Sequence, residues 1–378
     1  MKYHIALKKA IDLQSIEKET QAGQIPRFDI GMLGQRLGAT FNTPKSYPVL
    51  PQDKLRSKIE GDPESWAFAR VLAAQLGRGD FIFCPGEDIG IPVATLCGAK
   101  QDRPKIAVFF HNIDRPRGRI ALKLFRLAER IDLFIVNCSS QLNFLRRYLN
   151  LPDSRVRLIW QPIDCNFFTP GSPSPNKTRP VIASVGLEKR DYGLLAAATK
   201  DLDVDVKISG FSKYNSASVT AKAFPKILPT NMSCRFYEWS EFLQFYRDAD
   251  VVVVSVRENL YAAGATALLE AMACGRPIVA TRTEGLADYL SDADALITVE
   301  PGDTMGLQQA ILHLLNNPEE AEARAQRAYQ LVRERYNLKK FVEMLAQYLE
   351  SYHVHTSRPE VLLKFQNSYS IRNVAILA

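Results

Sequence analysis

Short apolar runs alternate with longer helical patterns along this chain of 378 residues, and the alternation constrains the fold more than any other feature. The apolar runs have the length and the content of β-branched and aromatic residues that favour β-strands. Because strands separated by helices form parallel, doubly wound sheets, we predict an α/β fold. Uninterrupted apolar runs such as Val251–Val254 further indicate sheets that are covered on both faces.

The positions of the elements follow from the same pattern. Strands are predicted at residues 4–7, 81–84, 106–110, 133–138, 156–160, 181–185, 204–209, 234–237, 251–256, 277–281 and 295–299. Helices are predicted at about residues 64–76, 119–130, 140–149, 266–274 and 318–335.

A proline-rich segment divides the chain. Residues 168–180 contain four prolines together with glycine, serine and asparagine, which excludes a helix or a central strand. The chain is also too long for one ordinary hydrophobic core. We therefore predict a Rossmann-like domain over residues 1–165 and a second over 166–340. Residues 341–378 are predicted to form a C-terminal helix and tail that packs back on the first domain.

Composition excludes several classes of function. The apolar content of 46% and the charged content of 24% are typical of a globular protein. The longest apolar runs fall far short of the about 20 residues of a membrane-spanning helix, and the N-terminus lacks the features of a signal peptide. Six scattered cysteines, without a C-x-x-C pair, indicate reduced thiols in a cytoplasmic protein and no metal site.

Charge is distributed unevenly between the halves. The net charge is +8 over residues 1–165 and −1 over residues 166–378. The basic half favours an acidic partner or surface. Because the chain shows neither zinc-finger spacing nor basic residues interleaved with aromatic ones, we predict no nucleic-acid partner.

A loop of small residues carries the densest functional signal. Ala263, Gly264, Ala265 and Thr266 follow a buried strand and open a helix that contains Glu270. Small residues let a ligand approach the backbone, and the free N–H groups of a helix N-terminus favour phosphate. Glu270 is placed to accept hydrogen bonds from a ribose diol. On these residues alone, an alanine-rich helix packed on the sheet is an equal alternative.

A second cluster follows the predicted strand 181–185. Gly186 ends this strand, and the adjacent cations Lys189 and Arg190 come three and four residues later. Since the carboxyl ends of parallel strands share one edge of a sheet, these cations are expected beside the Gly264 loop, where a guanidinium can clamp a diphosphate. The alternative is an ordinary cluster of surface charges.

Further segments, in the same order, resemble the retaining GT-B glycosyltransferases of family 4. Residues 270–281 resemble the hallmark of that family, residues 109–111 its strand-end histidine, and residues 159–170 its crossing between domains. Residues 208–210 and 235–255 resemble later motifs of the family, so that the resemblance covers about residues 105–340. It implies the GT-B fold, in which two Rossmann-like domains face each other across a cleft. The N-terminal domain would then bind an acceptor and the C-terminal domain a nucleotide sugar linked to UDP or GDP.

The resemblance also implies roles for individual residues. Arg190, with Lys189 as a second candidate, would bind the diphosphate, and His111 would reach the donor sugar, so these three are the predicted catalytic residues. The predicted donor-binding residues are Gly186, Gly210, Tyr237, Glu238, Trp239, Glu258, Asn259, Ala263, Gly264, Ala265, Thr266 and Glu270.

The chain departs from the family pattern in three places. Ala262 stands where the family has a second glutamate, and Glu258 or Asn259 would have to substitute for it. The phosphate clamp is rearranged between Gly186 and Arg190. The glycine pair of the acceptor loop is missing, and residues 24–29 occupy that region.

The implied reaction is transfer of a sugar to an acceptor hydroxyl with retention of configuration. It needs neither a metal nor a cofactor, because Arg190 and a helix N-terminus supply the positive charge. Two alternatives stay open: a sugar-nucleotide epimerase on the same fold, and a degenerate homologue that only binds a nucleotide or a partner. The acceptor, whether a lipid, a glycan or a small molecule, is left undetermined.

A row of cations in the N-terminal half predicts a surface for membrane docking. Arg119, Lys123, Arg126 and Arg130 have the spacing of one helical stripe, next to a second stripe formed by Ile120, Leu124, Leu127 and Ile131. A basic amphipathic helix of this kind is suited to an anionic membrane surface, which would place a cytoplasmic protein at the inner face of a membrane. An ordinary surface helix is the alternative.

Overall fold

The computed structural model describes residues 1–210 and 223–354. Within these ranges, two parallel sheets of six strands each form the framework. The strands are β1 (Lys2–Ala6), β2 (Thr40–Asn42), β3 (Asp80–Cys84), β4 (Lys105–Phe110), β5 (Leu133–Val136), β6 (Val156–Leu158), β7 (Val181–Val185), β8 (Asp205–Ser209), β9 (Met232–Cys234), β10 (Val251–Val254), β11 (Ile278–Thr281) and β12 (Ile297–Val299).

Helices connect successive strands and cover the faces of the sheets. The α-helices of the described residues are α1 (Leu13–Gln21), α2 (Asp29–Leu37), α3 (Pro51–Ser57), α4 (Pro63–Gln75), α5 (Glu87–Cys97), α6 (Pro116–Leu124), α7 (Leu127–Arg130), α8 (Ser139–Leu149), α9 (Tyr192–Thr199), α10 (Trp239–Arg247), α11 (Ala265–Ala273), α12 (Thr304–Asn316), α13 (Pro318–Arg335) and α14 (Leu338–Val354). None of them combines the length and the apolarity that a crossing of the bilayer requires.

Both sheets have a topological switch point, where the order of strands reverses. The first sheet has the order β2-β1-β3-β4-β5-β6, and its switch point lies between β1 and β3. The second has the order β12-β11-β10-β7-β8-β9, and its switch point lies between β7 and β10. In open parallel sheets, ligands bind beyond the carboxyl ends of the strands at such points. The loops that follow β7 and β10 are therefore the first place to look for a site.

The strands are buried because they are apolar on both faces. Val251–Val254 is at most 1% exposed, as is most of β4. Both faces of each sheet are lined by clusters of buried apolar side chains. One of these clusters combines strands of the first sheet with Leu338, Leu345 and Leu349 of α14, so the last described helix packs against the N-terminal sheet. The fold confirms the predicted α/β class with two doubly wound parallel sheets.

The elements differ from the prediction at two places that concern function. The strand predicted at 234–237 lies instead at Met232–Cys234, so Tyr237 belongs to the loop beyond the strand. The helix predicted at 119–130 is wrong, because α6 ends at Leu124 and Arg126 adopts a left-handed conformation with φ of 53° before α7 begins. A left-handed residue ends the helical path, so the four cations do not form one stripe.

Candidate functional site

The loops after β7 and β10 meet at the switch point of the second sheet and hold each other in place. Arg190 and Val256 form an antiparallel bridge, and the backbone N–H of Arg257 donates to the carbonyl of Lys189 at 2.9 Å. Positive φ angles at Gly186 (97°) and Lys189 (57°) turn the chain sharply between strand and helix. Tyr192 closes this turn with a hydrogen bond from its hydroxyl to the carbonyl of Gly186. The predicted proximity of the two loops is therefore observed.

Arg190 is a buried cation at the centre of this junction. Its side chain is only 6% exposed, and its guanidinium donates from Nε to the carbonyl of Val185 at 2.6 Å and from Nη1 to the carbonyl of Glu188 at 3.1 Å. Within residues 1–210 and 223–354, no carboxylate lies within 4.0 Å of it. A buried charge without a counter-ion is costly, so this arrangement favours binding of an anion. Lys189, by contrast, projects from an exposed position.

The start of α11 offers a second contact for an anion. Gly264 is the N-cap of this helix, at φ of 99°, and a β-carbon there would lie 2.9 Å from Cγ1 of Val254. A side chain is thus excluded by both the conformation and the space. Ala263 and Ala265 are buried, whereas Thr266, in the first turn of the helix, is exposed. The positive end of the helix and the Arg190 loop lie on neighbouring strands.

Glu270 is buried within the C-terminal domain. It is 6% exposed, and the hydroxyl of Tyr246 donates to its Oε2 at 2.6 Å. Burial raises the pKa of Glu270 to about 7, while the hydrogen bond from Tyr246 and the positive charge of Arg190 act in the opposite direction. Glu270 therefore lies on the helix that begins at Gly264, with its carboxyl group held by Tyr246.

The segment beyond β9 carries aromatic side chains at the carboxyl edge of the same sheet. The guanidinium of Arg235 lies 3.7 Å from the centre of the Tyr237 ring, and burial raises the pKa of this tyrosine. Glu238 caps α10, and the 41% exposed Trp239 packs edge-on against Phe167 and other rings. Gly210, by comparison, packs tightly, since a β-carbon there would lie 2.8 Å from Phe224.

The remaining predicted residues of the β10 loop have different surroundings. Asn259 is 7% exposed and is engaged within its own turn, because its amide donates to the carbonyl of Arg257 at 2.7 Å and its oxygen accepts from the N–H of Tyr261 at 3.3 Å. Glu258 is exposed. Ala262 is half-buried against the apolar core, and the phenol of Tyr261 donates to Glu188 at 2.7 Å.

His111 follows β4 on the N-terminal side of the cleft. Its ring nitrogen Nε2 lies 3.0 Å from the carbonyl of Pro85, and its ring stacks on Phe109. The backbone N–H of His111 donates to the carboxylate of Glu87 at 2.9 Å. The contact with a carbonyl assigns the proton to Nε2. Burial raises the pKa of nearby Asp29, and the charge of His111 acts against this rise. His111 and Asp29 therefore lie on the same face of the N-terminal domain.

Direct contacts join the two domains around the cleft. Asp288 accepts hydrogen bonds from the N–H of Ser139 at 2.6 Å and from its hydroxyl at 2.7 Å. The amide of Gln141 donates to the carbonyl of Leu260 at 2.7 Å, which ties the β10 loop to α8. Within the first domain, Arg27 pairs with the buried Asp164, just before the chain crosses to the second domain.

Several residues of this site were not predicted from the sequence. Tyr246 contacts Glu270, 24 positions away, and Glu188 contacts Tyr261, 73 positions away. No local sequence pattern predicts contacts over such distances. Arg235 could have been found, because residues i and i+2 of the predicted strand 234–237 share one face, which places Arg235 beside Tyr237.

Comparison with known proteins defines first a class of fold. The chain aligns over 93% of its length with all of the structure of Anabaena HepE in complex with UDP and glucose, with a TM-score of 0.70 and 15% identity. The two six-stranded sheets and this likeness identify the GT-B fold.

A family model then matches part of the C-terminal half. The model described as glycosyl transferases group 1 matches residues 191–317, about a third of the chain. Over 75 residues the chain is 36% identical to N-acetyl-alpha-D-glucosaminyl L-malate synthase of Bacillus anthracis, which is 20% of each chain. Over 135 residues it is 28% identical to an uncharacterised glycosyltransferase of Methanocaldococcus jannaschii, covering 35% of this chain and 36% of the relative. The matched stretches thus span a fifth to about a third of these relatives.

Proposed function

We propose that this chain is a retaining glycosyltransferase that moves a hexosyl group from a UDP- or GDP-linked donor to an acceptor hydroxyl. The observation that carries the proposal is the buried guanidinium of Arg190, without a carboxylate partner in the described part of the chain, at the switch point of the second sheet. The match to group 1 glycosyl transferases over residues 191–317 supports the same reading of this region.

The donor would extend along the carboxyl edge of the second sheet. Its diphosphate would contact Arg190 and the N-terminus of α11, and its ribose would reach Glu270. The aromatic segment at Tyr237 would flank the base, and the sugar would point towards His111 across the cleft. Lys189 is exposed next to Arg190, so it would contribute a more distant positive charge.

In this arrangement the protein stabilises the leaving group. The bond from the anomeric carbon to the diphosphate oxygen breaks, and the acceptor oxygen forms a bond on the same face of the sugar. The acceptor proton passes to the departing diphosphate, so no paired carboxylates are needed. Arg190 and the helix N-terminus neutralise the developing charge, and the reaction proceeds without a metal.

Two other functions differ in their products. A degenerate homologue is favoured by Ala262, which removes a carboxylate found in the resembling family, and it would bind a nucleotide without turnover. An epimerase on the same fold would convert the sugar nucleotide without releasing a nucleoside diphosphate.

The experiment is incubation of the protein with UDP-glucose and GDP-mannose, with and without EDTA, followed by NMR of the products. We expect release of UDP or GDP. The sugar, whether transferred to an acceptor or slowly hydrolysed to the free sugar, should first appear with the anomeric configuration that it had in the donor. An inverted product would contradict retention, and a requirement for a divalent cation would contradict the metal-free reaction. Binding without turnover would indicate the degenerate homologue, and an epimerised nucleotide sugar the epimerase.

We also propose a docking surface for an anionic bilayer on the N-terminal domain. Ile120 and Leu124 of α6 are 53% and 57% exposed, although both are large apolar side chains. Exposed cations lie on the same helix at Arg117 and Lys123 and on α8 at Arg147, where Lys123 packs over the Tyr148 ring of α8, and none of the three has a carboxylate within 4.0 Å in the described residues. Apolar side chains ringed by cations are the pattern of helices that lie in the bilayer interface. We call these five residues the α6 face.

The α6 face replaces the stripe expected from the sequence. Arg119 is paired with Asp114, Arg126 with Glu129, and Arg130 donates to the carbonyl of Thr95, so these three cations are engaged within the protein. Leu127 and Ile131 are fully buried and belong to the core. Only Lys123 of the predicted cations belongs to the α6 face.

A further inference from the structure

Glu188 is an exposed carboxylate whose orientation is fixed by a hydrogen bond from Tyr261. It lies in the loop between β7 and α9, its side chain is exposed, and its Oε1 accepts a hydrogen bond from the hydroxyl of Tyr261 at 2.7 Å. Tyr261 is itself 8% exposed, and its backbone packs directly on Gly285. The buried phenol of Tyr261 therefore orients the carboxylate of Glu188.

The charge of Glu188 is not neutralised by the protein. Among residues 1–210 and 223–354, no cation lies within 4.0 Å of it. Its charge is nevertheless felt across the cleft, since Glu188 helps to raise the pKa of Arg115, a residue of the N-terminal domain whose ion-pair partner is Glu60 at 2.7 Å. Burial lowers the pKa of Arg115 and is the largest influence on it, but the acidic neighbours outweigh burial. The partner of Glu188, Tyr261, directly follows Leu260, whose carbonyl accepts a hydrogen bond from Gln141 of the N-terminal domain at 2.7 Å, so Glu188 lies where the two domains meet.

The position of Glu188 relative to Arg190 assigns it to a particular part of a ligand. The backbone carbonyl of Glu188 accepts from Nη1 of Arg190 at 3.1 Å, so the carboxylate and the guanidinium project from one short turn. The residues after Tyr261 are Ala262, Ala263 and Gly264, which contribute no polar side chain beside the carboxylate. If the diphosphate contacts Arg190 and the ribose reaches Glu270, the group on the other side of the diphosphate, the donor sugar, would lie beside Glu188.

We propose that Glu188 is a specificity-determining residue that accepts hydrogen bonds from the hydroxyl groups of the donor sugar. Oε2 is left for the sugar while Tyr261 holds Oε1, and a carboxylate is well suited to accept from two neighbouring hydroxyls. An anionic carboxylate repels an acidic sugar, so the preferred donors carry a neutral hexosyl group and not a uronyl group. This proposal rests on the proposed function.

The test compares nucleotides with nucleotide sugars by calorimetry. The probes are UDP, UDP-glucose, UDP-glucuronate, GDP and GDP-mannose, and the proteins are wild type, Glu188→Gln and Tyr261→Phe. We expect Glu188→Gln to weaken binding of the neutral nucleotide sugar by about tenfold, the scale of a hydrogen bond to a charged group. Binding of UDP and GDP should stay within about twofold, because the diphosphate contact is unchanged.

Two further readouts separate recognition from a structural role. Glu188→Gln should improve binding of UDP-glucuronate relative to UDP-glucose, because the repulsion is removed, and Tyr261→Phe should shift both ratios in the same directions by a smaller factor. Equal losses for UDP and UDP-glucose would show that Glu188 only supports the loop, and unchanged ratios would show that it does not contact the sugar. Either result overturns the proposal and leaves the proposed function standing. If wild type binds none of the five probes, the proposed function fails as well.

Discussion

The carboxyl group of Glu270 lies inside the C-terminal domain, where it accepts a hydrogen bond from Tyr246. Burial raises its pKa from 4.5 to about 7, so it releases its proton near neutral pH. In the unfolded chain the same group ionises at lower pH. Between these two values the folded state holds a proton that the unfolded state has lost, and a rise in pH through this window therefore destabilises the fold.

The first prediction is that Glu270→Gln stabilises the protein at pH 8 by about 2 kcal/mol relative to wild type and has little effect at pH 5. The amide keeps an oxygen that can accept from Tyr246 and avoids the cost of a buried charge. Urea unfolding at both pH values measures the difference. Equal effects at the two pH values would show that the pKa of Glu270 is not raised.

The same substitution should weaken binding of the donor at pH 8. A carboxylate accepts from a ribose diol more strongly than an amide, with charged hydrogen bonds contributing about 1.5–3 kcal/mol. Calorimetry with UDP and GDP gives the affinity, and wild type should bind more tightly as the pH rises towards about 7 and Glu270 ionises. Affinity that is unchanged by the substitution would return Glu270 to a structural role.

At the residue scale, the sequence predicted that the Arg190 loop and the Gly264 loop lie on neighbouring strands, because the carboxyl ends of parallel strands share an edge of the sheet. The roles of Arg190 and Glu270 in binding a donor stay predictions. The phenols of Tyr246 and Tyr261 could not be foreseen, because their contacts depend on how α10 and the β10 loop pack in three dimensions.

The helix α6 presents apolar side chains to solvent at its exposed side. It buries Gly118, Ala121 and Leu122 against the domain, while Ile120 and Leu124 point outward. The left-handed Arg126 then redirects the chain, so that Leu127 returns to the core. A burial pattern that leaves large apolar groups outside is expected where a helix meets another surface.

The second prediction is that Arg117→Gln, Lys123→Gln and Arg147→Gln together reduce binding to anionic liposomes about a hundredfold, since each cation near an anionic surface contributes about 1 kcal/mol. Ile120→Ser with Leu124→Ser should abolish the part of the binding that resists salt. The matched control is Leu55→Ser with Met305→Ser, which changes two equally exposed apolar residues elsewhere. Sedimentation with anionic and neutral liposomes measures the binding.

Membrane docking through the α6 face would be contradicted by two results. One is the absence of binding to anionic liposomes by wild type. The other is an equal loss of binding in the control and in the Ile120 and Leu124 variant.

At the scale of elements, long periodic segments and apolar strands were the most predictable. The helix predicted at 318–335 matches α13, and the strands 81–84 and 181–185 match β3 and β7 within a residue. The C-terminal helix predicted from residue 341 is α14, which begins at Leu338. Helices α2 and α5 were missed, because α2 contains two glycines and α5 is buried along nearly its whole length and shows little periodic contrast. The break after α6 was missed because nothing in the sequence requires a left-handed arginine at position 126.

A buried ion pair fixes the end of the first domain, where the chain crosses to the second. Asp164 is 5% exposed at the crossing between the domains and accepts from the backbone and the guanidinium of Arg27. Burial alone would raise the pKa of Asp164, but these hydrogen bonds and the charge of Arg27 lower it below its usual value. A lowered carboxyl pKa stabilises the fold above the pKa of the unfolded chain, and this stability is lost as the pH falls through the lower folded value.

The third prediction is that Asp164→Asn destabilises the protein by about 2 kcal/mol at pH 7, because it removes a buried carboxylate that is paired with the partly exposed guanidinium of Arg27. The difference from wild type should shrink in acid, where Asp164 is protonated in both states. Thermal unfolding from pH 7 to pH 3 measures this convergence. Exposed Asp102→Asn serves as the control, since its pair with Arg78 lies in solvent and contributes little. A constant difference at all pH values would contradict the role of the ion pair.

For the whole molecule, the division into two parallel sheets was accessible from the sequence because alternation and the proline-rich segment are both long-range patterns. The contacts that join the two domains could not be predicted from these patterns. They include Asp288 with Ser139 and Gln141 with Leu260, which join positions more than a hundred residues apart.

The central claim is that Arg190 binds the diphosphate of a nucleotide-sugar donor. The most direct test measures the release of UDP from UDP-glucose, or of GDP from GDP-mannose. It compares wild type with Arg190→Ala and Lys189→Ala. Arg190→Ala should reduce turnover at least about a hundredfold, the scale of removing one preorganised donor to a developing charge. Lys189→Ala should have a smaller effect, because this side chain is exposed beside the site. Far-ultraviolet circular dichroism checks that both variants are folded. Near-normal turnover by folded Arg190→Ala would contradict the account.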